Sequence, residues 1–167
     1  MTQAALRAAA KRVLQRARSR GLKIATAESC TGGLVAAALT EIAGSSDVLD
    51  RGFVTYSNDA KQVMLDVPTA ILKRYGAVSA ETAAAMAQGA LRYSLAEIAV
   101  AITGIAGPGG GSKQKPVGLV HFAAARRNGR RLARVKRYGN IGRSKVRQRS
   151  VAEALRLLKL LADKKPS

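Results

Sequence analysis

The hydrophobic pattern alternates along the chain between helical spacing and short apolar runs. Over residues 6–17 the apolar side chains recur at helical intervals, with basic side chains largely on the other face. The run Glu97–Thr103 is almost continuously apolar, which is typical of a strand covered on both faces. This alternation favours a fold in which helices and strands pack as layers.

Turn and capping residues set the bounds of the other elements. Strands are predicted at 23–27, 51–56, 97–103, 117–126 and 131–138, with Asn128-Gly129 as a hairpin turn between the last two. Helices are predicted at 6–17, 32–43, after Ser57, and at 68–76, 80–95 and 143–162. The order predicts an α/β fold, a three-layer α/β/α sandwich with a mixed, mostly parallel sheet. We expect one domain over 1–167, with 163–167 as a flexible tail.

The composition narrows the class of protein. The chain has 167 residues, 47% of them hydrophobic, and its single cysteine excludes an intrachain disulfide. No apolar run approaches the roughly 20 residues of a membrane span, and no signal-peptide core follows Met1. We therefore expect a cytoplasmic protein that does not bind membranes.

The net charge of +19 comes from the two ends of the chain. Residues 1–23 hold seven bases and no acid, and residues 126–167 hold fifteen bases against two acids, whereas the stretch between them is nearly neutral. Basic ends attract anions, including nucleic acids. With few aromatic side chains and no recognisable nucleic-acid motif, nucleic-acid binding is the less favoured interpretation.

Three predicted strands each end in an unusual polar or glycine-rich segment: 28–33, 56–61 and 103–111. Ligands of open α/β sheets bind beyond the carboxyl ends of the strands. If these strands are parallel neighbours, the three segments lie together at one edge of the sheet and can form one binding site. The turn with Gly32 and Gly33 can cradle a phosphate or an oxyanion, or it can be a plain strand-to-helix turn. It lacks the spacing of a P-loop.

A serine nucleophile at Ser29 needs a base. His121, the only histidine, falls in a predicted strand away from these segments, so a Ser-His-Asp triad is disfavoured. Lys61 is the better candidate, assisted by Tyr56, although both can instead be ordinary surface or strand-end residues. Cys30 fits a small core residue better than a nucleophile. No set of side chains has metal-ligand spacing, so we expect no metal and no cofactor.

Several long motifs occur in order and match one family. They are Thr26–Gly33, Arg51–Asn58 with Lys61, Gly76–Ser79, and Thr103–Gly110 with Pro116-Val117-Gly118. Over about residues 5–162 the chain closely resembles the CinA carboxyl-terminal domain family, the nicotinamide mononucleotide deamidases. The resemblance implies a stand-alone competence/damage-inducible-type hydrolase of NAD salvage, a small nucleotide substrate, no required metal, and a homo-oligomer.

By matching position, the resemblance places the catalytic residues at Ser29, Tyr56 and Lys61. We expect acyl transfer to Ser29, with oxyanion or substrate contacts from a larger set: Thr31, Gly32, Gly33, Thr103, Gly104, Gly107, Gly109, Gly110 and Arg143. One departure concerns the family's Gly-Asp-Arg sequence, because residues 140–143 here keep Arg143 without the acid. The alternatives are a basic nucleic-acid-associated protein and a nucleotide-binding protein without catalysis.

Overall fold

A computed structural model describes residues 2–127 and 129–163. Asn128 of the predicted hairpin turn and the tail residues 164–167 lie outside this part. The strands are β1 (Ile24–Glu28), β2 (Leu49–Val54), β3 (Ile98–Gly104), β4 (Leu119–Arg126) and β5 (Arg131–Arg137). The helices are α1 (Gln3–Arg18), α2 (Leu34–Thr40), α3 (Asn58–Leu65), α4 (Thr69–Tyr75), α5 (Ala80–Arg92) and α6 (Arg143–Asp163), with a short 3-10 turn at Ser45–Asp47.

The five strands form one sheet in the order β2-β1-β3-β4-β5. β1 pairs in parallel with both β2 and β3, whereas β4 pairs antiparallel with β3 and with β5. The carboxyl ends of β1, β2 and β3 therefore lie at one edge of the sheet. This architecture confirms the predicted sandwich with a mixed sheet.

Two apolar layers cover the two faces of the sheet. On one face α1, α2 and α6 pack branched side chains such as Val13, Leu39 and Leu158 against the strands. The other face carries α5 and α3 over an alanine-rich surface that includes Ala25, Ala99 and Ala123. The small side chains let α5 approach the sheet closely, so both layers are dense without tryptophan.

Element ends differ from the sequence-based bounds in ways that shape the site. β2 ends at Val54, so Tyr56 lies beyond the strand, and α2 begins at Leu34 because Gly33 adopts a left-handed conformation (φ +96°). Asp163, which we assigned to the tail, is the last residue of α6 and accepts hydrogen bonds from Arg16 and Lys159. Within 2–127 and 129–163, no helix has the length and apolar character to cross a membrane.

Candidate active site

A cavity of ≈ 190 Å³ lies at the edge where the three parallel strands end. Segments that follow β1, β2 and β3 all contribute to its walls, together with the loop after α4 and the start of α6. The lining residues are Ser29, Cys30, Tyr56, Lys61, Ala77, Val78, Thr103, Gly104, Ala106 and Arg143. The topology thus brings together the polar segments that are far apart in the sequence.

Ser29 and Lys61 form a buried pair in this cavity. The Lys61 Nζ atom lies 3.0 Å from the Ser29 Oγ atom and 2.8 Å from the carbonyl oxygen of Thr55. Lys61 is only 1% exposed and Ser29 is 8% exposed. Ser29 is held directly after β1, where its backbone N–H donates to the carbonyl of Ile102 on β3. The hydroxyl and the amine are therefore fixed by the sheet and by the first turn of α3.

Burial changes the acid–base behaviour of Lys61. Desolvation lowers the pKa of its amine from the ordinary value of 10.5, and this effect outweighs the opposing influence of the nearby Cys30 sulfur. Both hydrogen-bond acceptors of Lys61 in the described part of the chain are uncharged oxygens. A lysine without a carboxylate partner loses its proton more readily, and the neutral amine can then accept the hydroxyl proton of Ser29.

Glu28 shapes the turn that presents Ser29. Its carboxylate is fully buried and accepts the backbone N–H groups of Gly33, Val35 and Ala36 at 2.9–3.1 Å. These groups belong to the first turn of α2, where N–H donors lack partners within the helix. A negative charge is also favoured at this end of a helix. Glu28 therefore ties the start of α2 to the end of β1 and locks the loop between them.

The turn does not offer the oxyanion donors that the sequence suggested. The N–H of Gly32 donates to the Ser29 carbonyl and that of Gly33 donates to Glu28, so both are already used. Neither residue lines the cavity, and Thr31 is fully buried. In contrast, the N–H groups of Cys30 and Thr31 make no hydrogen bond to another residue in the described ranges.

Tyr56 and Arg143 form the exposed rim of the cavity. Tyr56 is 61% exposed, and its hydroxyl accepts a hydrogen bond of 3.0 Å from the Arg143 guanidinium. Arg143, the first residue of α6, also donates to the carbonyl of Gly107 at 2.9 Å. No hydrogen bond joins Tyr56 to Ser29 or Lys61 among the described residues. The structure thus places Tyr56 at the site, in contact with Arg143 rather than with the buried pair.

The glycine-rich segment that begins with the last two residues of β3 lines the cavity only with its first part. Thr103 is buried and its hydroxyl donates to the Ala77 carbonyl at 2.7 Å. A Cβ atom at Gly104 would lie 2.8 Å from the Leu119 carbonyl oxygen, so this position excludes a side chain. Gly107 contributes its carbonyl to Arg143, whereas Gly109 and Gly110 are exposed and do not line the cavity.

The other candidate chemistries are not supported by the surroundings of their side chains. His121 lies on β4 opposite Thr103 and does not line the cavity. Burial lowers the pKa of its imidazole, as expected for a packed strand residue. Cys30 is buried, and desolvation raises the pKa of its thiol to about 12, which keeps it a poor nucleophile. Among residues 2–127 and 129–163 no group of His, Cys, Asp and Glu has metal-site geometry.

Sequence reasoning missed three features of the site. Glu28 and Arg147 act on the Ser29 turn from outside the cavity, Arg147 by donating to the Thr31 carbonyl at 3.1 Å. Ala77 and Val78 line the cavity, although the sequence analysis gave their motif no role. An acid at the end of an otherwise uncharged, buried strand was a usable signal for Glu28, because a buried carboxylate requires donors.

The chain is similar to known proteins along most of its length. The model of the CinA C-terminal domain family matches residues 6–162. The chain is 47% identical over 158 residues to the nicotinamide-nucleotide amidohydrolase PncC of Escherichia coli K12, covering 95% of each protein. It is 55% identical over 150 residues to a CinA-like protein of Synechococcus sp. RCC307, covering 89% of this chain and 36% of that protein.

Among solved structures, the competence/damage inducible protein CihA from Agrobacterium tumefaciens superposes with a TM-score of 0.93. It is 56% identical in sequence, with 95% of this chain and 96% of that chain covered. The relatives differ in length. This chain spans about a third of the length of the CinA-like proteins from Synechococcus and Syntrophobacter fumaroxidans.

Proposed function

Because this chain belongs to the CinA C-terminal domain family, we propose that it hydrolyses nicotinamide mononucleotide to nicotinic acid mononucleotide and ammonia. The observation that carries the proposal is the buried contact of 3.0 Å between the Lys61 amine and the Ser29 hydroxyl. The choice of substrate rests on the similarity of this chain to the E. coli nicotinamide-nucleotide amidohydrolase over 95% of both chains.

In the first half of the proposed reaction, neutral Lys61 removes the proton from Ser29 as the Oγ atom attacks the carboxamide carbon. The bond between carbon and Oγ forms, and the carbonyl electron pair moves onto oxygen to give a tetrahedral oxyanion. Lys61 then gives its proton to the departing nitrogen, the C–N bond breaks, and ammonia leaves. An acyl-enzyme on Ser29 remains.

In the second half, Lys61 removes a proton from water, which attacks the acyl carbon. The second tetrahedral intermediate collapses, the bond to Oγ breaks, and Ser29 recovers its proton from Lys61. One group therefore serves both halves, as the base in each attack and as the acid in each collapse. The lowered pKa of Lys61 supports this role, because its neutral form is accessible closer to neutral pH.

We assign the oxyanion to the N–H group of Cys30, which lines the cavity, in place of those of Gly32 and Gly33. Cys30 directly follows Ser29, and in other serine hydrolases the residue after the nucleophile donates its N–H in this way. The N–H of Cys30 makes no hydrogen bond to another described residue, so it has donor capacity left. Losing one such donor typically costs about 10²–10³ in rate.

The rim and the wall residues supply substrate binding in this proposal. Arg143 would contact the phosphate, since a guanidinium recognises phosphate oxygens well and no ion pair neutralises it among the described residues. Thr103 and Gly104 would face the ribose or the ring. Tyr56 would position Arg143 through its hydroxyl.

Release of ammonia from nicotinamide mononucleotide by purified Ser29→Ala protein tests the proposal. We expect turnover to fall by about 10³-fold or more while the protein stays folded. Ser46→Ala, which changes an exposed serine outside the cavity, is the matched control and should keep normal activity. Near-normal turnover by Ser29→Ala would exclude this nucleophile.

The nucleic-acid alternative and self-association remain predictions. Salt-dependent retention on DNA, compared with ammonia release by the same sample, discriminates the nucleic-acid role from the enzymatic one. Sedimentation velocity over a range of protein concentrations measures the oligomeric state.

A further inference from the structure

A second cavity lies behind the Ser29 turn, between α1, α2 and α6. Its volume is ≈ 290 Å³, larger than that of the cavity at the strand ends. Side chains of Leu6, Leu34 and Val151 give it apolar walls, one from each of the three helices. No residue within 2–127 and 129–163 lines both cavities, so the second one is a separate compartment.

The charged groups of this second cavity are not balanced. Arg7 on α1 and Arg147 on α6 line it, and Glu41 is the one acid among its described lining residues. Neither arginine takes part in an ion pair in the described part of the chain. The charged lining therefore carries one surplus positive charge beside apolar walls, which complements a singly charged anion on an apolar body.

Arg147 connects this cavity to the Ser29 turn. One terminal nitrogen of its guanidinium donates to the Thr31 carbonyl at 3.1 Å, two residues after Ser29. The Nε atom of the same side chain is buried and has no acceptor among the described residues. A buried donor without an acceptor is unfavourable, so an anion that binds this guanidinium from the cavity would give Nε an acceptor and move the side chain relative to the Thr31 carbonyl.

We propose that the cavity between α1, α2 and α6 is a second ligand site for a small organic monoanion, such as a carboxylate on an apolar body. Arg7 and Arg147 bind the anionic group, and the apolar walls hold the body. Binding of the anion changes the hydrogen bond from Arg147 to the Thr31 carbonyl, and this changes the activity at Ser29. This last step rests on the proposed amidohydrolase function, whereas the binding step does not.

Titration of the full chain with cyclohexanecarboxylate, followed by methyl NMR, tests the binding step. We expect shifts at the methyl groups of Leu6, Leu34 and Val151, and none at Val78, which lines the other cavity. Cyclohexylmethanol, the uncharged counterpart, should bind more weakly. Arg7→Gln should weaken carboxylate binding by at least about fivefold.

Arg12→Gln is the matched control, because it removes the same charge from an exposed position of α1 outside this cavity. The proposed site is wrong if Arg7→Gln and Arg12→Gln bind the carboxylate equally well. It is also wrong if millimolar carboxylate causes no shifts, or causes shifts only at Val78.

Ammonia release with and without cyclohexanecarboxylate tests the coupling step. We expect the carboxylate to change the rate of the unmodified protein and to have at least about fivefold less effect at the same concentration on Arg7→Gln. If binding is seen and the rate is unchanged, the coupling through Arg147 is wrong. If the unmodified protein releases no ammonia, the proposed function fails, and the NMR result alone still decides the ligand site.

Discussion

The buried pair Ser29–Lys61 and the exposed rim Tyr56–Arg143 line the same cavity but are built differently. The pair is held by the sheet, by the Thr55 carbonyl and by the Glu28 cap, and almost none of it reaches solvent. The rim consists of long side chains whose mutual contact of 3.0 Å lies at the surface. Desolvation alters acid–base behaviour only where water is excluded, so chemistry is expected at the pair and recognition at the rim.

The difference also predicts how each region tolerates change. The buried Lys61 amine and Glu28 carboxylate are constrained by fixed hydrogen-bond partners. Substitution of either residue is therefore expected to affect both catalysis and the free energy of unfolding. Exposed rim contacts exchange readily with water, and their loss costs little stability. Four substitutions and one pH titration separate the two regions, from the largest expected effect to the smallest.

Replacement of the buried amine, Lys61→Met, should lower kcat/KM by about 10³-fold or more, because no other base lies within reach of Ser29 among the described residues. The free energy of unfolding should stay equal or rise by up to about 2 kcal/mol, since a buried ionisable group is replaced by an apolar one. Kinetics and chemical denaturation measure the two effects. Lys73→Met, at an exposed position of α4, is the control and should change neither.

The pH dependence of the unmodified protein should report Lys61. Because only the neutral amine is a base, kcat/KM should rise about tenfold per pH unit below the lowered pKa and level off below pH 10.5. Stability should rise with pH between the folded and the unfolded pKa, because the unfolded chain binds the proton more strongly. A rate profile that is flat, or that levels off only above 10.5, would contradict this role.

Loss of the charge that caps α2, Glu28→Gln, should reduce kcat by about tenfold and the free energy of unfolding by about 2 kcal/mol. The amide turns one acceptor into a donor that faces backbone N–H groups, so the turn loosens. Glu81→Gln, at an exposed position in the first turn of α5, serves as control. If kcat and stability of Glu28→Gln match those of the control, Glu28 does not position Ser29.

Changes at the rim should be the mildest. Tyr56→Phe removes the hydroxyl that meets Arg143 and should change kcat by less than about threefold, with a small rise in KM. A loss of about 10³-fold in kcat for Tyr56→Phe would instead place Tyr56 in proton transfer, as the sequence interpretation holds.

Arg143→Gln should raise the KM for nicotinamide mononucleotide by about tenfold and leave the turnover of nicotinamide riboside unchanged.

The amino-acid sequence was sufficient to predict the layers of the fold and the family. The types of the elements follow from the local spacing of apolar residues. The strand β3 and the start of α5 at the Ser79 cap could therefore be predicted without coordinates. The resemblance is confirmed by the family match over residues 6–162. The convergence of three strand ends could also be foreseen, because parallel strands present their carboxyl ends at one edge.

Contacts between distant side chains were decided only by the tertiary structure. Sequence spacing did not show that Glu28 uses the N–H of Gly33, that Tyr56 meets Arg143 rather than Lys61, or that Arg147 holds the turn from behind. Each of these depends on which way a side chain points after a strand ends and on which donors are already taken. Periodicity along the chain specifies the face of an element, whereas competition among hydrogen-bond partners is settled only when the elements pack.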